Sequence, residues 1–361
     1  MSNVLAGSSK ELESINSLLG KDIPSYRKAY SDRTAWLMSC LSELAYIRFN
    51  PLFSKNTQKD YFIKSISKLT ENANKELSDQ KISTLSKLVD MVAYDHEAEA
   101  EKLKEELSKI KMELVDTFDE DGTQAILVSF KDFLVLAFRG TEATSIKDIK
   151  SDAKATTKTC ETGGKIHSGF DEAYRKVAVD IQKVLDLEPH SNKALYITGH
   201  SLGGALATIA AKKLHHKGGL AACYTFGAPR VGNDVWIENI KTPIYRLVNA
   251  ADCVTMLPPS SEAITVASWM LQFVPYVGKN LRKILLSKFE GYLHCGNMRY
   301  LKNCTSGNYE NAKLLYSVSL FYRVKGLIIK KLPWKHFLAD HSISVYRKKL
   351  MHVAIGRNSD K

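Results

Sequence analysis

Residues Leu195 to Leu214 read LYITGHSLGGALATIAAKKL. The stretch opens apolar and β-branched, as a buried strand does, and closes as an alanine-rich run suited to a buried helix. Between the two stand Gly199, His200, Ser201, Leu202 and Gly203, a G-x-S-x-G pattern. Glycines at its outer positions let strand and helix approach closely while the serine takes a strained turn that points its hydroxyl outward. The Ser201 Oγ would then stand at the helix N-terminus, where the dipole and the Leu202 N–H favour developing negative charge. Ser201 is therefore the candidate nucleophile; a plain structural turn is the alternative.

Serine attacks poorly unless a base takes its proton and an acid orients that base. Where a serine sits in such a turn, the acid and the histidine follow it along the chain. Asp252, in YRLVNAADCVTMLPP, comes just after a β-rich run and is the candidate acid. Four histidines follow it: His294, His336, His341 and His352. His336 lies in a basic, apolar run and His352 inside the pattern of a terminal helix. His341 precedes the helical spacing of Ile343, Tyr346 and Leu350. Position alone leaves His341 and His294 both open as the base.

Around this centre the chain alternates strands and helices. TQAILVSF and DFLVLAFRG predict a hairpin turning at Lys131 and Asp132. The pattern continues with a helix over about 171–187, a strand over 194–198, a helix over about 202–216, and buried strands in AACYTFGAP and IYRLVNAAD. Short connections between such elements imply a mostly parallel sheet covered by helices on both faces. Upstream, residues 27–47 show helical spacing with Ser31 or Asp32 placed to cap it, and 52–112 read as a solvated helical insertion within a single domain spanning 1–361.

The formal net charge is +12, and it is uneven: residues 263–361 hold 17 Lys and Arg against 4 Asp and Glu. An anionic partner surface accounts for such asymmetry. Nucleic acid is disfavoured, because there is no zinc-finger spacing and the basic residues interleave with long aliphatics. No run approaches the roughly 20 apolar residues that cross a bilayer. The first residues contain neither a basic n-region nor an apolar h-region, and the six cysteines are scattered without metal-ligand spacing. Together these features predict a cytoplasmic protein with reduced thiols, peripheral to a membrane, with export by a route lacking a cleaved signal left open.

Seven segments, LAFRGTE, IHSGFDEAY, ITGHSLGGALA, FGAPRVGN, NAADCVTMLPP, HCGNMRYL and DHSISVY, occur in the order found in the class 3, or fungal-type, lipases of the α/β-hydrolase superfamily, which this sequence resembles. SDRTAWLMSCLSELAY also resembles the N-terminal helix of bacterial members. The resemblance implies an α/β-hydrolase fold with helical insertions, and a triad of Ser201, Asp252 and His341, with His294 excluded as base. It further implies an oxyanion hole formed by the N–H groups of Thr141 and Leu202. The activity implied is lipid ester hydrolysis of lipase or phospholipase A type, through an acyl-enzyme. No cofactor and no metal are called for. A soluble carboxylesterase or thioesterase, or an inactive lipid-binding scaffold, are the alternatives.

Two departures stand out. The segment following Thr141 is polar, whereas fungal members carry an apolar helical lid there. Additional sequence at 263–290 and 308–337 is basic and apolar and would border the cleft as cap-like insertions. Within it Trp269, Phe273 and Tyr276, followed by Arg282 and Lys283, have the composition of a surface that docks on anionic lipid. Replacing Arg282 and Lys283 with glutamine should weaken cosedimentation with anionic vesicles by about fivefold per charge, at about 1 kcal/mol each. Binding that neither salt nor these substitutions alter would rule the docking surface out.

Overall fold

The alternation of strands and helices is realised in a computed structural model, which describes residues 3–49, 65, 95–141, 157–260, 291–304, 307–319, 322–323 and 339–359. Three helices come first: α1 (Ser9–Leu19), α2 (Asp32–Leu44) and α3 (His96–Lys109). Each starts on a side-chain cap, since Ser8, Ser31 and Asp95 accept the backbone N–H of Glu11, Thr34 and Ala98. Those N–H groups have no partner inside the first turn of their own helix.

Strands β1 (Glu113–Glu120), β2 (Thr123–Phe130) and β3 (Phe133–Phe138) then form an antiparallel meander. Asp121, Gly122 and Lys131 carry φ of 45°, 79° and 41° at its two turns, the left-handed values that two-residue hairpin loops need to match strand twist. The β2–β3 hairpin was legible in the sequence. Strand β1 was not: Glu113 and Leu114 close a charged helical pattern in the sequence, but they pair with Ser129 and Val128.

A short ribbon of β4 (Thr157–Thr159) and β5 (Lys165–His167) leads into α4 (Ser168–Asp186). There follow β6 (Ala194–His200), α5 (Leu202–Lys213), β7 (Leu220–Phe226), the short α6 (Asp234–Glu238) and β8 (Ile244–Asn249). Strands β9 (Asn297–Leu301) and β10 (Leu314–Leu315) and helix α7 (Ile343–Ser359) complete the described elements. The main sheet runs β1-β2-β3-β6-β7-β8-β9-β10, with every pairing from β3 to β9 parallel. This is the α/β-hydrolase architecture. Of the expected insertions, 52–94 apart from Ser65 and all of 263–290 lie outside the described residues, whereas 308–337 supplies β10.

The sheet is apolar on both faces because its strands alternate with period two. Phe133, Val135 and Ala137 of β3 join Ala194 and Tyr196 of β6 in a core shared with Trp36 and Leu41 of α2 and Tyr346 and Leu350 of α7. Leu134, Leu136 and Phe138, with Leu195 and Ile197, meet Ile181 of α4 and Leu206 of α5 on the opposite face. Helices thus cover both sides, and the C-terminal ends of the parallel strands are left to carry loops.

His167 caps α4: its Nδ1 accepts the N–H of Phe170 at 3.3 Å, and the ring stacks on the Phe170 ring at 3.8 Å. The Nε2 proton is buried and finds no acceptor among the described residues. Burial consequently pushes the His167 pKa down to about 4. A folded-state pKa below the unfolded value of about 6.5 means that the unfolded chain binds the extra proton. The stability this group contributes is complete above pH 6.5 and is lost as pH falls toward 4. Urea unfolding of wild type and His167→Asn, which keeps a capping side chain, should show wild type losing about 2–3 kcal/mol more between pH 7 and 4.5. Parallel pH profiles would exclude His167 as the source.

Candidate active site

Ser201 joins β6 to α5 with φ 56° and ψ −126°, a conformation that side chains other than glycine rarely hold. Its N–H donates to the carbonyl of Phe226 on β7 at 2.9 Å, so the turn is tied to the next strand. The two glycines of the motif are needed for contact: a Cβ on Gly203 would run into the Phe138 carbonyl, and one on Gly199 into the backbone of Gly203. Sheet and helix therefore touch backbone to backbone beneath the serine.

Asp252 lies three residues after β8 and is fully buried. His341 lies two residues before α7 and is nearly as buried. The structure brings both to Ser201. His341 Nε2 stands 2.9 Å from Ser201 Oγ, and its Nδ1 is 3.0 Å from each carboxylate oxygen of Asp252. That geometry places the Nδ1 proton toward the carboxylate and leaves Nε2 free to accept from the serine.

The carboxylate is itself held. The Tyr346 hydroxyl donates to Asp252 Oδ2 at 2.6 Å, and the Val254 N–H donates to Oδ1 at 3.0 Å. Tyr346 OH also accepts the Asn249 N–H at 2.9 Å, while Asn249 Nδ2 donates to the Asp340 carbonyl at 2.7 Å. Gly227, with φ 60°, borders this pair so closely that a Cβ there would fall 2.7 Å from Asp252 Oδ2 and 2.9 Å from His341 Nδ1.

His200, a variable position of the elbow motif, has a second part that sequence spacing did not show. Its Nε2–H donates to the His341 carbonyl at 2.6 Å, and its Nδ1 accepts from the Tyr46 hydroxyl at 2.8 Å. Burial, with the neighbouring His341, keeps its pKa well below the usual histidine range, so the ring stays neutral. Tyr46 and Tyr346 were the residues missed: both sit at helical spacing and read as core. Their hydroxyls would have been the only clue.

Leu202 opens α5 immediately after the serine, as an oxyanion donor would require, and Thr141 follows Gly140, where a Cβ would run into the Tyr46 hydroxyl and the His200 carbonyl and fall 3.3 Å from Ser201 Cβ. His294 is placed elsewhere. Its Nε2–H donates to the Thr255 carbonyl at 2.6 Å, and burial among Arg246 and Arg230 holds its pKa far below the ordinary value. Trp269, Phe273, Tyr276, Arg282, Lys283 and the rejected base His336 lie outside the described residues. Part of the C-terminal basic excess proves to be internal: Arg347 and Lys349 are buried, paired with Glu43 and Asn249, and Arg299 packs on the rings of Tyr30 and Tyr316.

Residues 135–262 match the family model Lipase (class 3). Among curated proteins, a secreted mono- and diacylglycerol lipase of Fusarium solani is 39% identical over 109 residues, covering 28% of this chain and 33% of that protein. A lipase of Rhizopus niveus is 34% identical over 155 residues, 38% of each. The matched segment thus spans little more than a third of those relatives. The crystal structure of a lipase from Rhizopus microsporus var. chinensis superposes with a TM-score of 0.45 at 23% identity, over 67% of this chain and 76% of that one.

Two expectations are corrected by these likenesses. The two curated relatives described above are fungal, and the bacterial-type assignment drawn from the α2 segment is not supported. The cytoplasmic placement is overturned, since a relative of this kind is a secreted lipase. Buried free thiols such as Cys40 and Cys223 need no reducing compartment to stay unpaired, which is why cysteine usage misled.

Removing the Tyr346 hydroxyl with Tyr346→Phe should strip one donor from Asp252 and leave the Asn249 N–H without its acceptor. We expect a stability loss of about 1–3 kcal/mol and slower turnover of a chromogenic ester, with the urea midpoint and kcat as readouts. Unchanged values for both would show that the hydroxyl contributes nothing. The chain thus has the α/β-hydrolase fold, and its residues 135–262 match the class 3 lipase model.

Proposed function

We propose that the protein is a serine ester hydrolase acting on lipids, with Ser201 as nucleophile, His341 as general base and acid, and Asp252 as the group that orients His341. The supporting observation is the unbroken line from Ser201 Oγ through His341 Nε2 and Nδ1 to both oxygens of Asp252, each step 2.9 or 3.0 Å. As Oγ attacks an ester carbonyl, its proton passes to Nε2, and the imidazolium is stabilised by the buried carboxylate. The tetrahedral oxyanion would be received by the N–H groups of Leu202 and Thr141, the first at the positive end of α5. Collapse returns the Nε2 proton to the departing alkoxide and leaves an acyl-serine. A water then gives its proton to Nε2, attacks the acyl carbon, and releases the carboxylic acid with Ser201 restored.

Lipid esters are the substrate class that the family likeness supports, and the Fusarium relative, a mono- and diacylglycerol lipase, supports partial glycerides. The same relative supports action outside the cell. Docking on an anionic lipid surface rests on residues 263–290. Arg347 and Lys349 are buried and add nothing to the charge such a surface would present.

The test is fatty-acid release from emulsified diacylglycerol and from phospholipid vesicles, comparing wild type with Ser201→Ala. Wild type should release acid and the variant about 10⁴-fold less or lower, at an unchanged urea midpoint. Equal release by both proteins would discard Ser201 as nucleophile.

A further inference from the structure

Behind the loop that carries Asp252, cations gather without a matching acid. Arg246 lies on β8, in register with Thr225 of β7 and Met298 of β9, and is 7% exposed. Its Nε and Nη1 are buried and reach no hydrogen-bond acceptor among the described residues. Burial, and after it the charges of Arg323 and Arg230, push the Arg246 pKa down to about 9. No carboxylate is among the groups that act on Arg246 most strongly, which are the two arginines, Cys295 and Tyr346.

The neighbours are largely committed. Arg230 Nη1 donates to the carbonyls of Met256 and Pro258 at 2.5 and 2.6 Å, Arg323 Nη2 donates to Thr255 Oγ1, and His294 donates to the Thr255 carbonyl. Asp252, the carboxylate that acts on Arg323, is occupied by His341, Tyr346 and Val254. Beside these stand donors with nothing to donate to. Thr225 Oγ1, the cross-strand neighbour of Arg246 on the same sheet face, is buried without a partner, and so is Arg323 Nε.

An isolated buried guanidinium is strongly unfavourable, and arginine is the side chain that sheds its proton least readily. A cluster of unpaired donors with no acceptor lacks one kind of group, an acceptor carrying negative charge. The guanidinium fork and a hydroxyl beside it suit a compact anion. We propose that Arg246, Thr225 and Arg323 form a binding site for one small inorganic anion, a halide or a tetrahedral oxyanion such as phosphate. Bound there, it would offset the charge of the cations whose hydrogen bonds hold residues 255–258, and so steady the loop that begins at Asp252. The site stands apart from the ester-hydrolase reading, because its test measures binding and not turnover.

The full-length protein is exchanged into sodium gluconate and titrated with sodium chloride, sodium bromide or sodium phosphate at constant ionic strength, following the thermal midpoint. We expect a saturable rise of about 4 °C at a hundred times Kd, with the halide and phosphate arms showing which anion is preferred. Thr225→Val, close in shape and lacking one donor, should raise Kd about tenfold. Arg246→Met should abolish the saturable rise. If Arg246→Met does not fold, Thr225→Val and an anomalous bromide peak within hydrogen-bond range of Arg246 in wild-type crystals decide the matter. A midpoint that follows ionic strength alone, a rise unchanged in Thr225→Val, or, where the halide arm gives the saturable rise, a bromide map with no peak at Arg246 would overturn the site.

Discussion

The backbone of Ser201 is held at a positive φ, and most of the chain around it serves to keep it there. A serine relaxes from that conformation unless its neighbours over-determine it. Here β6 enters the turn locked between β3 and β7, α5 leaves it pressed on the sheet through Gly199 and Gly203, and the Ser201 N–H is tied to Phe226. The strain is thus spread across three strands and a helix, and the buried hydroxyl is held facing His341.

The partners arrive from far along the chain. Asp252 is 51 residues beyond the serine and His341 is separated from it by 140. Their alignment depends on α7, which lies against α2 and places Tyr346 on Asp252 while Arg347 reaches Glu43 and the carbonyls of Val4 and Leu5. His200 and Tyr46 add a second attachment by holding the His341 carbonyl from the elbow side. The geometry of the triad is in this sense a property of how the two ends of the chain pack.

The sequence made the parallel strands, the elbow and Asp252 legible because each is encoded locally, by runs of apolar residues or by glycines that a turn requires. Strand β1 escaped because it is an edge strand of half-buried, mixed residues, EL-VDTFDE, appended to a charged helix without a strong break. His341 could not be separated from His294 by spacing, since what distinguishes them is which carbonyl or carboxylate each ring meets. Tyr46 and Tyr346 were hidden for a related reason: an aromatic in or beside a helical pattern reads as packing, and Tyr346 is fully buried and Tyr46 partly so, with only their hydroxyls reaching the site. The charge asymmetry misled in part because a count of lysines and arginines does not say which, like Arg347 and Lys349, point inward.

The placement of His341 just ahead of α7 and 140 residues beyond Ser201 has a consequence for synthesis. A chain interrupted before residue 339 would carry the Ser201 turn with no imidazole beside its hydroxyl. On the proposed function, Ser201 stays idle until the segment carrying His341 and α7 has packed, and proteolytic trimming of α7 would take Tyr346 away from Asp252 without touching Ser201.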